Sequence, residues 1–403
     1  MASQATARKP RPGLRRLTAV VLTLGTVGAL VSAAPPGAGY TPHRADHGFR
    51  ERDLVSDLMG RAEKFDPNLV NSWGLVRKTT GEILVSDNGS NKATAYSGAV
   101  DDQPVNITPL VVPFPNVATP TGVMPAAPTG VVRNDSDNFR FSDAGKSGPA
   151  RFIFAGESGA VFAFNPDVSS NAVQVAFERS DDTNAVFKGL TLVPGERKGK
   201  GNDRKGRERE KGGECGEPRL LVANFRDARV DSFDTDFNLL PSDDRFQDPN
   251  LPAGFAPFNI KRIGEKIFVT YALQDADKKD DVPGPRNGFI DVFNTEGKLL
   301  RRFASQGVLN SPWGLETAPK GFGKFSGDLL VGNFGDGRIN AFDLRTGRFE
   351  GTVKDPEGNP IVIPGLWGLQ RGTDQSGGRE SVWFAAGIED EEHGLLGTLR
   401  AEK

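Results

Sequence analysis

Residues Asn310 to Asp343 read NSPWGLETAPKGFGKFSGDLLVGNFGDGRINAFD. A glycine-containing apolar entry, PWGLE, is followed by a continuous apolar run, LLVGN, then a polar turn and an alternating strand, RINAFD. Weaker copies of this unit recur along the chain. Their entries are SWGLV (Ser72 to Val76), PTGVV (Pro128 to Val132), FKGLTLV (Phe187 to Val193), PFNIKRI (Pro257 to Ile263), PWGLE (Pro312 to Glu316) and LWGLQ (Leu366 to Gln370). The anchors Gly74, Gly130, Gly189, Asn259, Gly314 and Gly368 are 56, 59, 70, 55 and 54 residues apart, which is the spacing of a repeat architecture.

Each entry leads to an unbroken apolar run: ILVSD from Ile83, FIFAG from Phe152, LLVAN from Leu220, IFVTY from Ile267, LLVGN from Leu329 and VWFAA from Val382. A run that does not alternate belongs to a strand covered on both faces, as in a sheet packed between two others. Four antiparallel strands per unit and six units predict an all-β, six-bladed β-propeller. An open solenoid would need polar caps, whereas a ring closes its own edges. The sixth unit ends at Lys403 after GLLGTLR, one strand short. An unpartnered stretch near Asp53 to Leu58 lies at the other end, so the N-terminal strand is expected to complete the last blade.

The chain has 403 residues, with 49 Gly and 28 Pro, as suits short strands joined by turns. Residues 1–34 carry five basic side chains ahead of an apolar run from Leu17 to Val31 and then small residues, the layout of a secretory signal peptide. That run is short for a membrane span. Residues 35–50 read as a flexible leader and 51–403 as a single propeller. Without residues 1–34 the chain has 45 basic and 52 acidic side chains, a balance unsuited to nucleic acid or anionic lipid. A secreted or cell-envelope monomer is expected, with no membrane span after signal cleavage. The one cysteine, Cys215, allows no internal disulfide.

Several segments break the repeat. The connector Val111 to Pro128 is too rich in proline for a central strand, and Arg133 to Gly148 has loop composition. Residues 195–218 are charged and almost devoid of apolar side chains, the composition of a solvated insert. In the fourth unit the insert 274–288 holds Asp275, Asp277, Asp280 and Asp281. Four carboxylates at that density suit Ca²⁺, although Lys278 and Lys279 stand ready to neutralise them and the EF-hand pattern is not met. A second Ca²⁺ reading places Asn259, Asn224, Asn333 and Asp87 around the axis, where the same residue types serve equally as turn formers. Trp73, Trp313 and Trp367 precede their glycines identically, either as a platform for a sugar or as packing between blades. Of three histidines, two fall in the leader, and no G-x-S-x-G motif accompanies His393, so a Ser-His-Asp triad is not indicated.

DPNLVNSWGL (Asp66 to Leu75), DPNLPAGFAPFNI (Asp248 to Ile260), YALQDADKKDDVPGPRNGFIDVF (Tyr271 to Phe293) and SGDLLVGNFGDGRINAFD (Ser326 to Asp343) resemble a family of exported bacterial propeller proteins, some of which carry a PEP-CTERM sorting tag. The resemblance covers about residues 52–400. It implies the fold and export but no catalytic residues, because the family has no established activity, and this chain ends without such a tag. The expected function is non-catalytic binding of an extracellular protein or glycan. The alternative is a Ca²⁺-dependent lactonase or esterase with the axial metal.

Overall fold

The computed structural model describes residues 47–180, 183–195, 217–241 and 243–403. The signal segment, Cys215 and nearly all of the charged insert lie outside those residues. Six antiparallel sheets follow in chain order around an axis. Blades 1, 2, 4 and 5 are regular four-stranded sheets whose inner strands are Ser72–Arg77, Pro128–Arg133, Phe255–Ile263 and Pro312–Thr317. Blade 3 has three strands, beginning with Phe187–Val193, and a single bridge from Phe233 to Leu239 where a fourth would run.

Blade 6 runs from Leu366–Arg371 through Ser381–Ile388 to His393–Ala401, and its fourth strand is Phe49–Ser56 from the other end of the chain. Phe49 pairs with Ala401 and Ser56 with Leu395, so the ring closes through backbone hydrogen bonds between the two termini. The closing strand starts at Phe49, inside the stretch assigned to the leader. Phe49 is buried against Phe322 and Phe325 of blade 5.

The second strands show why apolarity is continuous. In Arg219–Asn224, Leu220 and Val222 pack against Ile153 and Ala155 of blade 2, while Leu221 and Ala223 pack against Ile267 and Val269 of blade 4. Alternate side chains therefore enter opposite inter-blade cores, and a charge at any of these positions meets one of them.

The inner strands crowd the axis. A Cβ on Gly74 would lie 2.5 Å from the Thr129 carbonyl oxygen, and one on Gly368 would lie 2.3 Å from that of Trp73. Glycine is required there by the neighbouring backbone.

The irregular segments lie at the rim. Val105–Pro113 is the edge strand of blade 1, and the proline-rich connector continues into a small hairpin, Val117–Thr119 with Gly122–Met124. Arg133 to Gly148, read from its composition as loop, contains a second hairpin, Arg140–Asp143 with Lys146–Pro149. Phe139 and Phe141 anchor it in the core between blades 2 and 3, an apolar signal that the surrounding polar residues concealed. Among the described residues no helix is long and apolar enough to cross a membrane.

Candidate functional site

The upper face of the ring carries the entries to the inner strands and the turns between second and third strands. At the place just before the anchor, the six blades present Trp73, Thr129, Lys188, Phe258, Trp313 and Trp367. The tryptophans do not line a mouth, nor do they sit in the wedges between blades. Trp73 stacks on Trp367 with centroids 3.4 Å apart, Trp313 meets both edge-on, and Phe334 stacks on Trp367 at 4.0 Å. With Phe225 and Phe258 they form an aromatic plug across the axis. On its far side lies a cavity of about 180 Å³ lined by Leu75, Leu190, Leu315 and Leu369.

Lys188 takes the place of a tryptophan in this ring and is 1% exposed. Its Nζ lies 5.0 Å from the Trp73 ring centroid and 5.9 Å from that of Phe225, where the ring faces favour a cation. It donates to Glu157 Oε1 at 2.7 Å and to Asp280 Oδ1 at 3.3 Å. Burial disfavours the ammonium, but Glu157, Asp280 and Glu391 outweigh it and hold the lysine pKa above its usual value. Lys188 is therefore a fixed cation rather than a nucleophilic amine.

Carboxylates from three blades surround it. Glu157 comes from the turn of blade 2, and Asn88 of blade 1 donates to its Oε2 at 3.2 Å. Glu391 comes from the turn of blade 6 and accepts from the indole N–H of Trp367 at 3.1 Å. Burial, with Glu157 nearby, pushes the Glu391 carboxyl up to about 7. Asp280 and Asp281 come from the insert of blade 4. Asp280 is buried enough to raise its pKa, yet Lys188 and Lys279 pull it below the usual range, whereas burial lifts Asp281 to about 6 against the pull of Ser311 and Lys188. Trp313 Nε1 is buried without a hydrogen-bond partner, and Ser311 Oγ and Asp281 Oδ2 are buried next to each other.

The acidic insert is thus split. Asp280 and Asp281 reach the axial cluster, while Asp275 caps its own turn by accepting from the Lys279 backbone N–H at 2.9 Å and Asp277 is exposed. The other expected ligands are each engaged close to home. Asp87 accepts from Thr94 Oγ1 at 2.7 Å, and complete burial raises its pKa well above normal. Asn224 bonds Asp227 and Asp231 of its own blade, and Asn333 bonds Asp336 and the Val308 carbonyl. Asn259 donates to the Trp313 carbonyl at 2.6 Å and accepts from the Ile260 N–H at 2.8 Å, tying blade 4 to blade 5. Among the described residues no group of three or more His, Cys, Asp or Glu is arranged to hold a metal ion. His393 lies on the closing blade, where its Nδ1 is 2.8 Å from Asp57 Oδ2.

Sequence reasoning places Glu157 near the axis with Asp87, Asn88, Asn224, Asn333 and Asn259, but passes over Lys188, Glu391 and Ser311. Lys188 was legible in FKGL set beside SWGL, PWGL and LWGL, a lysine where three other blades have tryptophan. Glu157 was legible as the polar residue that follows FIFAG where Asn88 follows ILVSD, whereas Glu391 had no such signal, since its turn meets the others only in the closed ring.

No family model matches the chain. It is similar to uncharacterised protein R648 of Acanthamoeba polyphaga mimivirus, 30% identical over 366 residues that span 89% of this chain and 82% of the relative. Uncharacterised protein L690 of the same virus is 31% identical over 366 residues, 89% of this chain and 88% of the relative. These relatives are viral, unlike the exported bacterial proteins that the motifs resemble. Among solved structures, virginiamycin B lyase from Staphylococcus aureus superposes with a TM-score of 0.46 at 13% identity, over 87% of this chain and 99% of that one. The GH93 α-L-arabinofuranosidase of Fusarium graminearum gives 0.48 at 10% identity, over 88% and 98%. These structural likenesses concern the fold alone.

Proposed function

The chain belongs to the family that includes the uncharacterised mimivirus proteins R648 and L690, and we propose that it is an exported monomeric propeller that binds a glycan or protein at its upper axial face without transforming it. The observation that carries this reading is the convergence of polar side chains from several blades on one buried lysine, with the buried Trp313 N–H left unpartnered at the edge. Ligand pockets combine an apolar floor with a few fixed polar groups, and the aromatic plug beneath Lys188 supplies such a floor.

Binding without chemistry is supported by how the acids are held. Glu157 and Asp280 are paired to Lys188, Glu391 accepts from Trp367, Asp281 is buried beside Ser311, Asp275 serves its own turn and Asp277 faces solvent. Of the residues a Ca²⁺-dependent lactonase or esterase would use, Asp87, Asn224, Asn259 and Asn333, the Asn224 and Asn259 side-chain oxygens already accept from the backbone N–H groups of Asp227 and Ile260. Export rests on residues 1–34, and N-terminal sequencing of the protein recovered outside the cell checks cleavage near Ala33 or Ala34.

The test is a binding panel of neutral saccharides, cations and proteins against residues 35–403, run in parallel with lactone and aryl-ester hydrolysis with and without EDTA. Binding that is lost when Asp280 and Glu391 are replaced by Asn and Gln supports the reading. Hydrolysis abolished by EDTA would overturn it.

A further inference from the structure

The inner strands run from the upper face to the opposite, lower face of the ring, and three residues past the anchor four of the six blades place an arginine there: Arg77, Arg133, Arg262 and Arg371. Two of them tie neighbouring blades together. Arg133 Nη1 donates to the Arg77 carbonyl at 3.0 Å, and Arg371 Nε donates to the Thr317 carbonyl at 2.6 Å, so each reaches the carbonyl at the same place in the blade before its own. Arg262 pairs with Glu265 of its own turn at 2.8 Å. Arg77 does neither: its side chain is exposed and makes no hydrogen bond or ion pair among the described residues.

Arg77 lines a cavity of about 370 Å³ where blades 6, 1 and 2 meet, together with Lys78, Thr79, Arg133, Gln375 and Arg379. Its walls are fixed across the junction of blades 6 and 1, where Thr373 Oγ1 donates to the Gly81 carbonyl at 2.6 Å and the Gly98 N–H donates to the Gln375 carbonyl at 2.7 Å. Apart from Gly81 and Gly372, the described lining is polar throughout. Of its four cations, Lys78 is paired with Glu82, Arg133 with Asp135 and Arg379 with Asp374, which leaves the charge of Arg77 uncompensated. The Thr79 hydroxyl and the Gln375 side-chain amide are also without a hydrogen bond among the described residues.

We propose that this cavity binds the carboxylate of a sugar acid, a uronate unit of a glycan, at a site separate from the upper face. The chemistry selects the ligand. A guanidinium fork matches the two oxygens of a carboxylate. One uncompensated charge suits a monoanion and not a polyanion such as nucleic acid. A polar lining offers nothing to the tail of a fatty acid or to an apolar side chain at a peptide C-terminus, whereas Thr79 and Gln375 can each donate to and accept from sugar hydroxyls. The cavity falls at the small end of ligand sites, which span about 300–1,000 Å³.

The experiment titrates the protein at low salt with glucuronate, galacturonate and short oligogalacturonates by calorimetry, with inorganic phosphate and acetyl-dialanine as the competing anions. Uronate binding is expected, and Arg77→Gln is expected to weaken it about tenfold or more, the equivalent of one charge-assisted hydrogen bond. The same variant should leave the melting temperature unchanged, because Arg77 holds nothing else in place. Arg77→Lys, which keeps the charge and loses the fork, should fall between the two. Arg371→Gln, at the equivalent place but tied to blade 5, should lower the melting temperature and leave uronate binding as it was. A uronate that binds Arg77→Gln as tightly as the wild type overturns the proposal, and so does the absence of uronate binding. Binding of phosphate or acetyl-dialanine that depends on Arg77, with no uronate bound, also overturns it, in favour of a phosphorylated ligand or a peptide C-terminus.

Discussion

Replacing Lys188 by methionine keeps the stem of the side chain over Trp73 and removes the one buried cation of the axial cluster. Glu157, whose side chain is 10% exposed, then loses its partner at 2.7 Å. Removing one member of a buried ion pair typically destabilises by about 3–5 kcal/mol, because the other charge is left uncompensated. With an unfolding entropy of about 2.1 cal/mol/K per residue over the roughly 330 described residues, that amounts to a drop of roughly 4–7 °C in melting temperature. Asp280 contributes less to the loss, since its side chain is half exposed and it also pairs with Lys279 at 3.5 Å. The double variant Lys188→Met with Glu157→Gln removes both charges and should recover most of the stability, because an uncharged pair of similar volume is often neutral. Equilibrium denaturation at pH 7 of the wild type, both single variants and the double variant gives the coupling directly. Two single-variant effects that simply add, or a Lys188→Met loss below about 1 kcal/mol, would refute the view of Lys188 as a buried, paired cation.

Other consequences are open to measurement. The Glu391 carboxyl has a folded pKa raised from 4.5 to about 7, so its contribution is most favourable below 4.5 and is lost as pH rises through about 7. Glu391→Gln should therefore stabilise the protein at pH 8 relative to wild type and give a smaller difference at pH 4.5, read from melting curves at both values. His393 has its pKa raised chiefly by the hydrogen bond to Asp57, so the stability it adds is present below about 6.5 and lost as pH rises through the folded value. His393→Gln should flatten the melting temperature against pH just above that point and nowhere else. Gly368→Ala places a Cβ 2.3 Å from the Trp73 carbonyl and should destabilise by about 1–3 kcal/mol or more, measured by chemical denaturation. Deleting residues 47–57 removes the strand that pairs with His393–Ala401, and the loss of cooperative unfolding in calorimetry is the expected result.

The ring was open to sequence reading because each blade repeats two features with a physical cause. Glycine stands where inner strands meet the axis, and unbroken apolar runs mark strands covered on both faces. Closure was legible for a related reason: one unit lacked a strand and the far end of the chain had one to spare. Lys188 and Glu157 stand at repeat positions, but the rest of the axial site was hidden because Glu391 and the two aspartates come from turns that obey no repeat. Asp280 and Asp281 were visible as acids, but nothing in their local sequence showed that Lys188, more than ninety residues earlier, would draw Asp280 to the axis. Asn224 and Asn333 pointed the other way. They look like ligands facing a channel, yet the recurring Asn-Phe-x-Asp pattern is a turn, with the asparagine amide bonded to the aspartate three residues on. Asn259, which breaks the glycine pattern, serves the junction of two blades.

The chain has four tryptophans, three of them in the axial plug, while Trp383 is buried in blade 6 with its N–H donating to the Ser376 carbonyl at 3.2 Å. Proton–nitrogen correlation spectra of the indole groups during titration with the neutral sugar panel therefore read the upper face through four assignable signals. Binding there moves the Trp313 signal furthest, shifts those of Trp73 and Trp367 less, and leaves that of Trp383 in place. A bound sugar that leaves Trp313 unmoved, or moves Trp383 most, would contradict the assignment of ligand binding to the upper axial face.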